Sequence, residues 1–280
     1  MSTPAPAELN ERLRAAGQQA DADFDVLDTA LTLAALDRPR VPLERYRAHL
    51  QTLAAELSGC VAADADADVD AAAAALRQVL VEQHGYQGDE LTYDDMQNAN
   101  LMRVIDRRRG LPVALGILYI GTARACDWHL CGIRFPGHFL LRLELAGARC
   151  IIDPFGSGQV LDAGAMRRLL KRVAGDSAEL GRQHFAPAGP REVLLRLQNN
   201  IRTRAVQAGE LARAEQVLRR MLLIAPEAAE LHRDHAVLLA SQDQYQAARR
   251  AGEHYRRLAA PGRQRQDAEQ LLARLSRRLN

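Results

Sequence analysis

Apolar residues recur at helical spacing through the first third of the chain. Phe24, Leu27, Leu31 and Ala34/Ala35 form one stripe, with Pro39 as a stop. Leu43, Tyr46, Leu50, Leu53 and Leu57 form a second, ended by Gly59. A third helix is predicted from about Asp68 through an alanine run to His84. Asp68 or Asp70 can cap its first amides, and Gly85 stands at its end. Between the second and third stripes, Asp and Ala alternate from Ala62 to Asp70, the most linker-like stretch before residue 180.

The pattern changes near Asn98. Asn98 to Arg109 reads as a short helix with Leu101, Val104 and Ile105 on one side. Pro112, whose ring fixes φ, suits the first position of a second helix that runs from Val113 to about Cys126. Alternation of period 2 follows in Leu130–Phe135, His138–Leu145 and Arg149–Asp153, with Pro136-Gly137 and Ala146-Gly147 at the turns. This predicts a three-stranded antiparallel meander. Pro154 ends its last strand because it has no N–H to give to a ladder.

The last 90 residues read as helices, and they repeat. Ala214 and Ala248 are 34 residues apart, Gly209-Glu210 and Gln242-Asp243 are 33 apart, and Ala225-Pro226 and Ala260-Pro261 are 35 apart. Small residues at a helix crossing, a turn between paired helices and a closing Pro at a period near 34 match the tetratricopeptide pattern. Helices are expected over about 193–208, 211–224, 228–241 and 244–258, with 265–279 as a cap. The first helix of each pair lines the concave face of such a stack. Asn199, Asn200 and Arg204, with the segment His232–Leu239, are therefore candidate contacts for a peptide backbone or carboxylate.

Composition narrows the class. A chain of 280 residues with 48% hydrophobic and 26% charged residues fits a globular protein of two ordinary domains. No apolar run approaches the roughly 20 residues that span a bilayer, and Met1–Asn10 has no apolar signal core. The cytoplasm and no membrane contact are the expectation. Cys60, Cys126, Cys131 and Cys150 form no CxxC pair and no zinc pattern, so reduced packing thiols and no metal or cofactor are expected. The net charge of +2 conceals a gradient: residues 1–95 balance at −11, 96–190 at +6 and 191–280 at +7. An acidic front and a basic rear can attract each other or a charged partner. The rear's arginines lack interleaved aromatics, so nucleic acid is not the expected partner.

Most of the chemical information lies between Asn98 and Phe155. Asn98 with Leu101, the run Arg107-Arg108-Arg109-Gly110-Leu111-Pro112, Pro136-Gly137-His138-Phe139, and Ile152-Asp153-Pro154-Phe155 resemble the motifs of the SirB-type family of bacterial proteins. Gly85-Tyr86 through Asp94-Asp95 resembles that family's approach to the same core. The resemblance covers nearly all of the chain after about residue 20. It implies a transglutaminase-like (papain-like) α+β core, followed by tetratricopeptide repeats. It also makes Asn98 and Arg109 candidate binding residues.

Enzymes of this fold use Cys, His and Asp, with the Cys at the start of a buried helix where the dipole favours thiolate. The resemblance places that helix start at Leu111-Pro112-Val113-Ala114, and none of these is a nucleophile. His138 and Asp153 match the other two positions. Strand geometry supports their pairing independently. With Ala146-Gly147 as the turn, Asp153 falls opposite Leu140, on the same sheet face as His138 and within side-chain reach. Cys131 pairs near Arg142, Cys150 near Leu143, and Cys126 ends the helix, so none replaces the missing nucleophile. Ser157 in Phe155-Gly156-Ser157-Gly158 lacks the strand-turn-helix setting of a nucleophile elbow and reads as part of a flexible loop.

Two charge clusters have a simpler reading. Arg107-Arg108-Arg109 suits a helix C-terminus and acidic neighbours. Asp94-Asp95 and Asp64/Asp66/Asp68 lack calcium-loop spacing and read as solvated charge.

The sequence thus predicts a helix-rich α+β protein in three parts. Residues 1–95 form a helical layer, 96–185 a transglutaminase-like core with a small antiparallel sheet, and 190–280 tetratricopeptide-like repeats. The expected function is non-catalytic protein or peptide binding, with His138 and Asp153 as a relic dyad. The alternative is a Cys-independent hydrolase or acyl transferase with His138 as base.

Overall fold

The computed structural model describes residues 4–62 and 68–279. Most of the Asp/Ala alternation, including Asp64 and Asp66, lies outside the described residues. The chain divides into two compact units. One gathers Gln19–Leu197 with the start of the first helix up to Leu9; the other gathers Asn10–Gln18 with the chain from Gln198 onward.

The helices before the sheet are α1 (Pro6–Gln18), α2 (Val26–Leu36), α3 (Glu44–Ala62), α4 (Val69–Arg77) and α5 (Leu101–Arg107). Helix α1 buries Leu9, Leu13 and Ala16 along one amphipathic stripe. Gly59 does not end α3, which continues to Ala62. One glycine costs a helix only about 1 kcal/mol, and buried Leu53 and Leu57 hold this one in place. Asp68 caps α4 by accepting from the Asp70 and Ala71 amides. Beyond Arg77 the helix widens into a π-turn over Gln78–Gln83, and Gly85 follows at φ 72°.

Two short parallel strands, β1 (Gln87–Gly88) and β2 (Arg109–Gly110), lead into α6 (Pro112–Arg124). Pro112 occupies the first turn of α6, and Pro112–Tyr119 is buried throughout. A side chain at Gly116 would collide with the Phe139 ring, so this glycine sets how closely α6 approaches the sheet.

That sheet is entirely antiparallel. Its strands are β3 (His129–Ile133), β4 (Leu140–Leu145), β5 (Ala148–Asp153), β6 (Gln159–Val160) and β7 (Pro187–Ala188), in the order β6-β5-β4-β3-β7. The central three are the expected meander, and its register agrees: Cys131 faces Arg142 and Cys150 faces Leu143. Ala146 and Gly147 form the tight turn with both φ angles positive. The stretch read as a loop after Asp153 is instead a compact turn. Gly158 N–H donates to Asp153 O at 3.0 Å, and β6 follows directly. Helix α7 (Ala163–Ala174) lays Met166 and Leu170 against Ile133, Phe135, Leu140 and Ile151.

Five further helices complete the chain: α8 (Pro190–Gln207), α9 (Leu211–Ile224), α10 (Ala229–Ala240), α11 (Tyr245–Leu258) and α12 (Arg263–Leu279). They fall where the 34-residue period places helices. In the second unit α10, α11 and α12 bury a common core that includes Ala236, Leu239, Ala248, Tyr255 and Leu271. Among the described residues, no helix is long and apolar enough to cross a membrane.

Candidate functional site

The approach to the sheet is pinned by one buried network. Asp89 is 2% exposed and accepts from Arg107 Nη2 at 2.7 Å, Thr92 Oγ1 at 2.7 Å and the Thr92 amide at 2.9 Å. Burial alone would raise this carboxyl, but the bonds from Thr92, Arg107 and Asn98 outweigh it and hold its pKa at about 2. Asn98, fully buried, accepts from Arg107 Nη1 at 2.8 Å and donates to Thr92 O. Its own carbonyl receives the Leu111 amide at 2.9 Å, which fixes the start of α6. Asn98 and Arg107 are thus bound inside the protein. Arg109 lies half-buried in β2, paired across to Gln87.

Arg108, between them, closes α5 in the left-handed region at φ 58°. Its guanidinium stacks on the Tyr86 ring and donates to Tyr86 Oη and His49 Nε2. Burial, then the positive charge of Arg108, pushes His49 down to about 4.

The sheet brings His138 and Asp153 together. Register continues from Leu141 opposite Ile152 to Leu140 opposite Asp153, two residues from His138 on the same face. His138 Nε2 lies 3.0 Å from Asp153 Oδ1 and 3.1 Å from Oδ2. Both side chains are more than four-fifths buried. Asp153 Oδ1 also accepts the Phe155 amide at 2.9 Å, and the Phe155 ring meets the imidazole edge-on. Gly137 sets up the approach. Its φ is 65°, and a side chain there would run into Val173. Nδ1 of His138 has no hydrogen-bond partner among the described residues.

Two residues that the sequence did not flag complete this site. Arg196 of α8 lies over the Phe139 ring and donates to His138 O at 2.8 Å, clamping the histidine's backbone. Tyr119 of α6 is 1% exposed, and its hydroxyl has no hydrogen-bond partner among the described residues. Burial, and then the Asp153 charge, raises its pKa and keeps the phenol protonated. A side chain at Gly158 would come 2.5 Å from that hydroxyl, so the turn after Asp153 closes directly over it. Neither residue belongs to a recognisable motif, since both lie on ordinary helical stripes.

The start of α6 carries no nucleophile. Leu111, Val113 and Ala114 are at most 3% exposed, and Pro112 is buried with them. The thiols lie elsewhere. Burial raises Cys131 and pushes Cys150 up to about 11. Cys126 Sγ, beyond the end of α6, contacts Ser58 Oγ at 3.6 Å. No group of three or more metal-ligating side chains occurs among the described residues.

The second unit holds a cleft of about 590 Å³ between α8 and α10. Its walls include Arg202, Val206, Arg233, Asp234, Val237 and Leu238. Val206 and Val237 are nearly half exposed, while Arg202 pairs with Asp234 across the cleft. The three α8 residues expected to face a peptide are placed differently. Asn199 accepts from Arg202 and so orients it, whereas Asn200 and Arg204 bond each other on a face that does not line the cleft.

The pattern of the family described as transglutaminase-like superfamily matches residues 44–199, which include the whole central sheet and α6. The chain belongs to the transglutaminase-like superfamily. Relatives of this superfamily member include a UPF0162 protein of Xylella fastidiosa (strain Temecula1), 30% identical over 220 residues that cover 78% of each chain. A UPF0162 protein of Pseudomonas aeruginosa is 33% identical over 176 residues, 63% of this chain and 58% of its own. Protein SirB1 of Salmonella typhimurium is 28% identical over 141 residues, 50% of this chain and 52% of its own. The SirB-type resemblance in the motifs is therefore a true kinship.

Proposed function

We propose that this protein is a non-catalytic, cytoplasmic binding protein whose transglutaminase-like core has become a structural platform. The observation that carries this reading is a His–Asp pair, hydrogen-bonded and mostly buried, in a fold whose helix α6 opens only with Leu, Pro, Val and Ala. Acyl transfer in this fold needs a nucleophile within reach of the imidazole. Asp153 instead ties His138 to the Phe155 turn, and Arg196 holds the same histidine by its carbonyl.

Binding falls to the C-terminal helices, read here as two tetratricopeptide-like pairs, α8–α9 and α10–α11, capped by α12. The α8–α10 cleft supports this reading. It exposes Val206 and Val237, and Arg202, Arg233 and Asp234 can meet a peptide's polar groups. The expected partner is a protein or peptide. The double variant Val206→Asp/Val237→Asp should fold normally, because both sites are exposed, and should lose the partners that the wild-type chain captures from lysate. Retention of every partner would remove the groove from the account.

A second reading rests on the bare Nδ1 of His138. A hydrolase without Cys would use it as general base toward water. Turnover of an ester or amide that disappears in His138→Ala would support that reading.

A further inference from the structure

Helices α11 and α12 form a hairpin with an unusual charge balance. Residues 245–279 hold nine Arg, no Lys and three carboxylates, a net charge of +6. Elsewhere in the protein arginines commonly meet a carboxylate, as Arg38 and Arg45 meet Asp106, Arg107 meets Asp89, and Arg202 meets Asp234. Here the carboxylates are few and two are already engaged: Glu253 by Arg249, and Asp267 by Arg233 and Tyr255. Arg250, Arg256, Arg257 and Arg265 have no carboxylate partner among the described residues.

These four arginines converge. Together with His254, Glu253 and Glu269 they line a cleft of about 720 Å³ between the two helices. Arg250, His254 and Arg257 recur at i, i+4 and i+7, so they share one face of α11. Two internal bonds hold the wall in shape. Arg257 Nη2 lies 2.9 Å from His254 Nδ1, and Arg265 Nη1 donates to Arg256 O at 2.7 Å. The His254 ring is stacked on His232, with centroids 5.3 Å apart. Burial lowers the pKa of His232 against the opposing bond to Pro226 O, and neighbouring His254, His235 and Arg257 add to the lowering. Like charges at such spacing repel, and an anionic ligand relieves that repulsion.

We propose that the α11–α12 cleft is a docking site for an acidic protein segment, read through its Asp and Glu carboxylates. Guanidinium forks match carboxylates in bidentate geometry, and a wall with four arginines and no lysine is suited to that match. Two observations favour spaced carboxylates over the continuous phosphates of a nucleic acid. Glu253 and Glu269 interrupt the positive wall, and it offers no Trp, Tyr or Phe on which bases could stack. This surface is distinct from the α8–α10 cleft, and the proposal stands whether or not that cleft binds a peptide.

The test uses the full chain and a short fluorescein-labelled peptide in which Glu alternates with Gly, followed by anisotropy. A Lys–Gly peptide and a single-stranded RNA of equal length are run beside it. The wild-type chain should bind the Glu peptide, ignore the Lys peptide, and bind RNA more weakly. The triple variant Arg250→Ala/Arg256→Ala/Arg257→Ala should lose about tenfold in affinity, given the modest strength of each exposed pair. All three residues are exposed, so its melting temperature should match wild type. The triple Lys variant keeps the charge but loses the forks, and it should also bind several-fold more weakly. Three results would overturn the proposal: equal binding by the alanine variant, full affinity in the lysine variant, or preference for RNA. Self-association that the alanine variant abolishes would likewise overturn it, by assigning the surface to a second copy of the chain.

Discussion

Nε2 of His138 lies between both carboxylate oxygens of Asp153, 3.0 and 3.1 Å away, and ties the approach to β4 to the end of β5. Two elements beyond these strands converge on the same joint. Arg196 holds the backbone of His138, and the Phe155 amide donates to the Asp153 carboxylate. Losing either partner strands a buried polar group in a crowded corner of the fold. The joint therefore has a structural role independent of any chemistry.

The Asp89 network predicts unequal arginines. Arg107→Ala removes the cation from a carboxylate that is 2% exposed and should destabilise the protein by about 3 kcal/mol. Arg109→Ala, two residues away and half-buried, should cost under about 1 kcal/mol. Urea denaturation of both variants checks this, and equal losses would contradict the assignment of Arg107 as the pin.

How far the sequence reached can be seen at this corner. The turn at Ala146-Gly147 and the alternation on either side determine the register, so the meeting of His138 with Asp153 was legible. The two-residue edge strands β6 and β7 were not. Two residues carry no periodicity, and the partner of β7, strand β3, lies far back in the chain. Asn98 and Arg109 stand in recognisable motifs, yet a motif does not say whether a polar group turns inward. Burial alone shows that Asn98 is bound internally. In α8 the helical face was the hidden quantity. Asn200 and Arg204 share a stripe on the far side of α8 from Val206, and only the placement of α10 shows which stripe the cleft uses.

Acid should unfold this protein partly through His49. Its folded pKa of about 4 lies below its ordinary value of 6.5, so the unfolded chain takes up the proton first. The contribution is complete above pH 6.5, declines as pH falls from 6.5 toward 4, and is fully lost below that. Melting temperatures of wild type and His49→Asn between pH 7 and 4 should converge as pH falls. Curves that stay parallel would contradict this role.

The thiols should be slow. Cys150, pushed up to about 11, and Cys131, also raised by burial, hold almost no thiolate at pH 7. Iodoacetamide should label both far more slowly in the native protein than after denaturation, as mass spectrometry of digests would show. A cysteine that labels faster than a free thiol, and only while His138 is present, would reveal an activated nucleophile.

The most direct test of a structural dyad compares four proteins: wild type, His138→Ala, Asp153→Asn and the double variant. Each is melted, and each is assayed on a mixed peptide and ester library. A buried group left without its partner costs about 1–3 kcal/mol, so both single variants should melt lower. The double variant should lose less than the sum, because the two residues act on one bond. No protein of the four should turn over substrate. Wild-type turnover that both single variants abolish, with melting temperatures unchanged or raised, would contradict the account and make His138 and Asp153 the working parts of an enzyme.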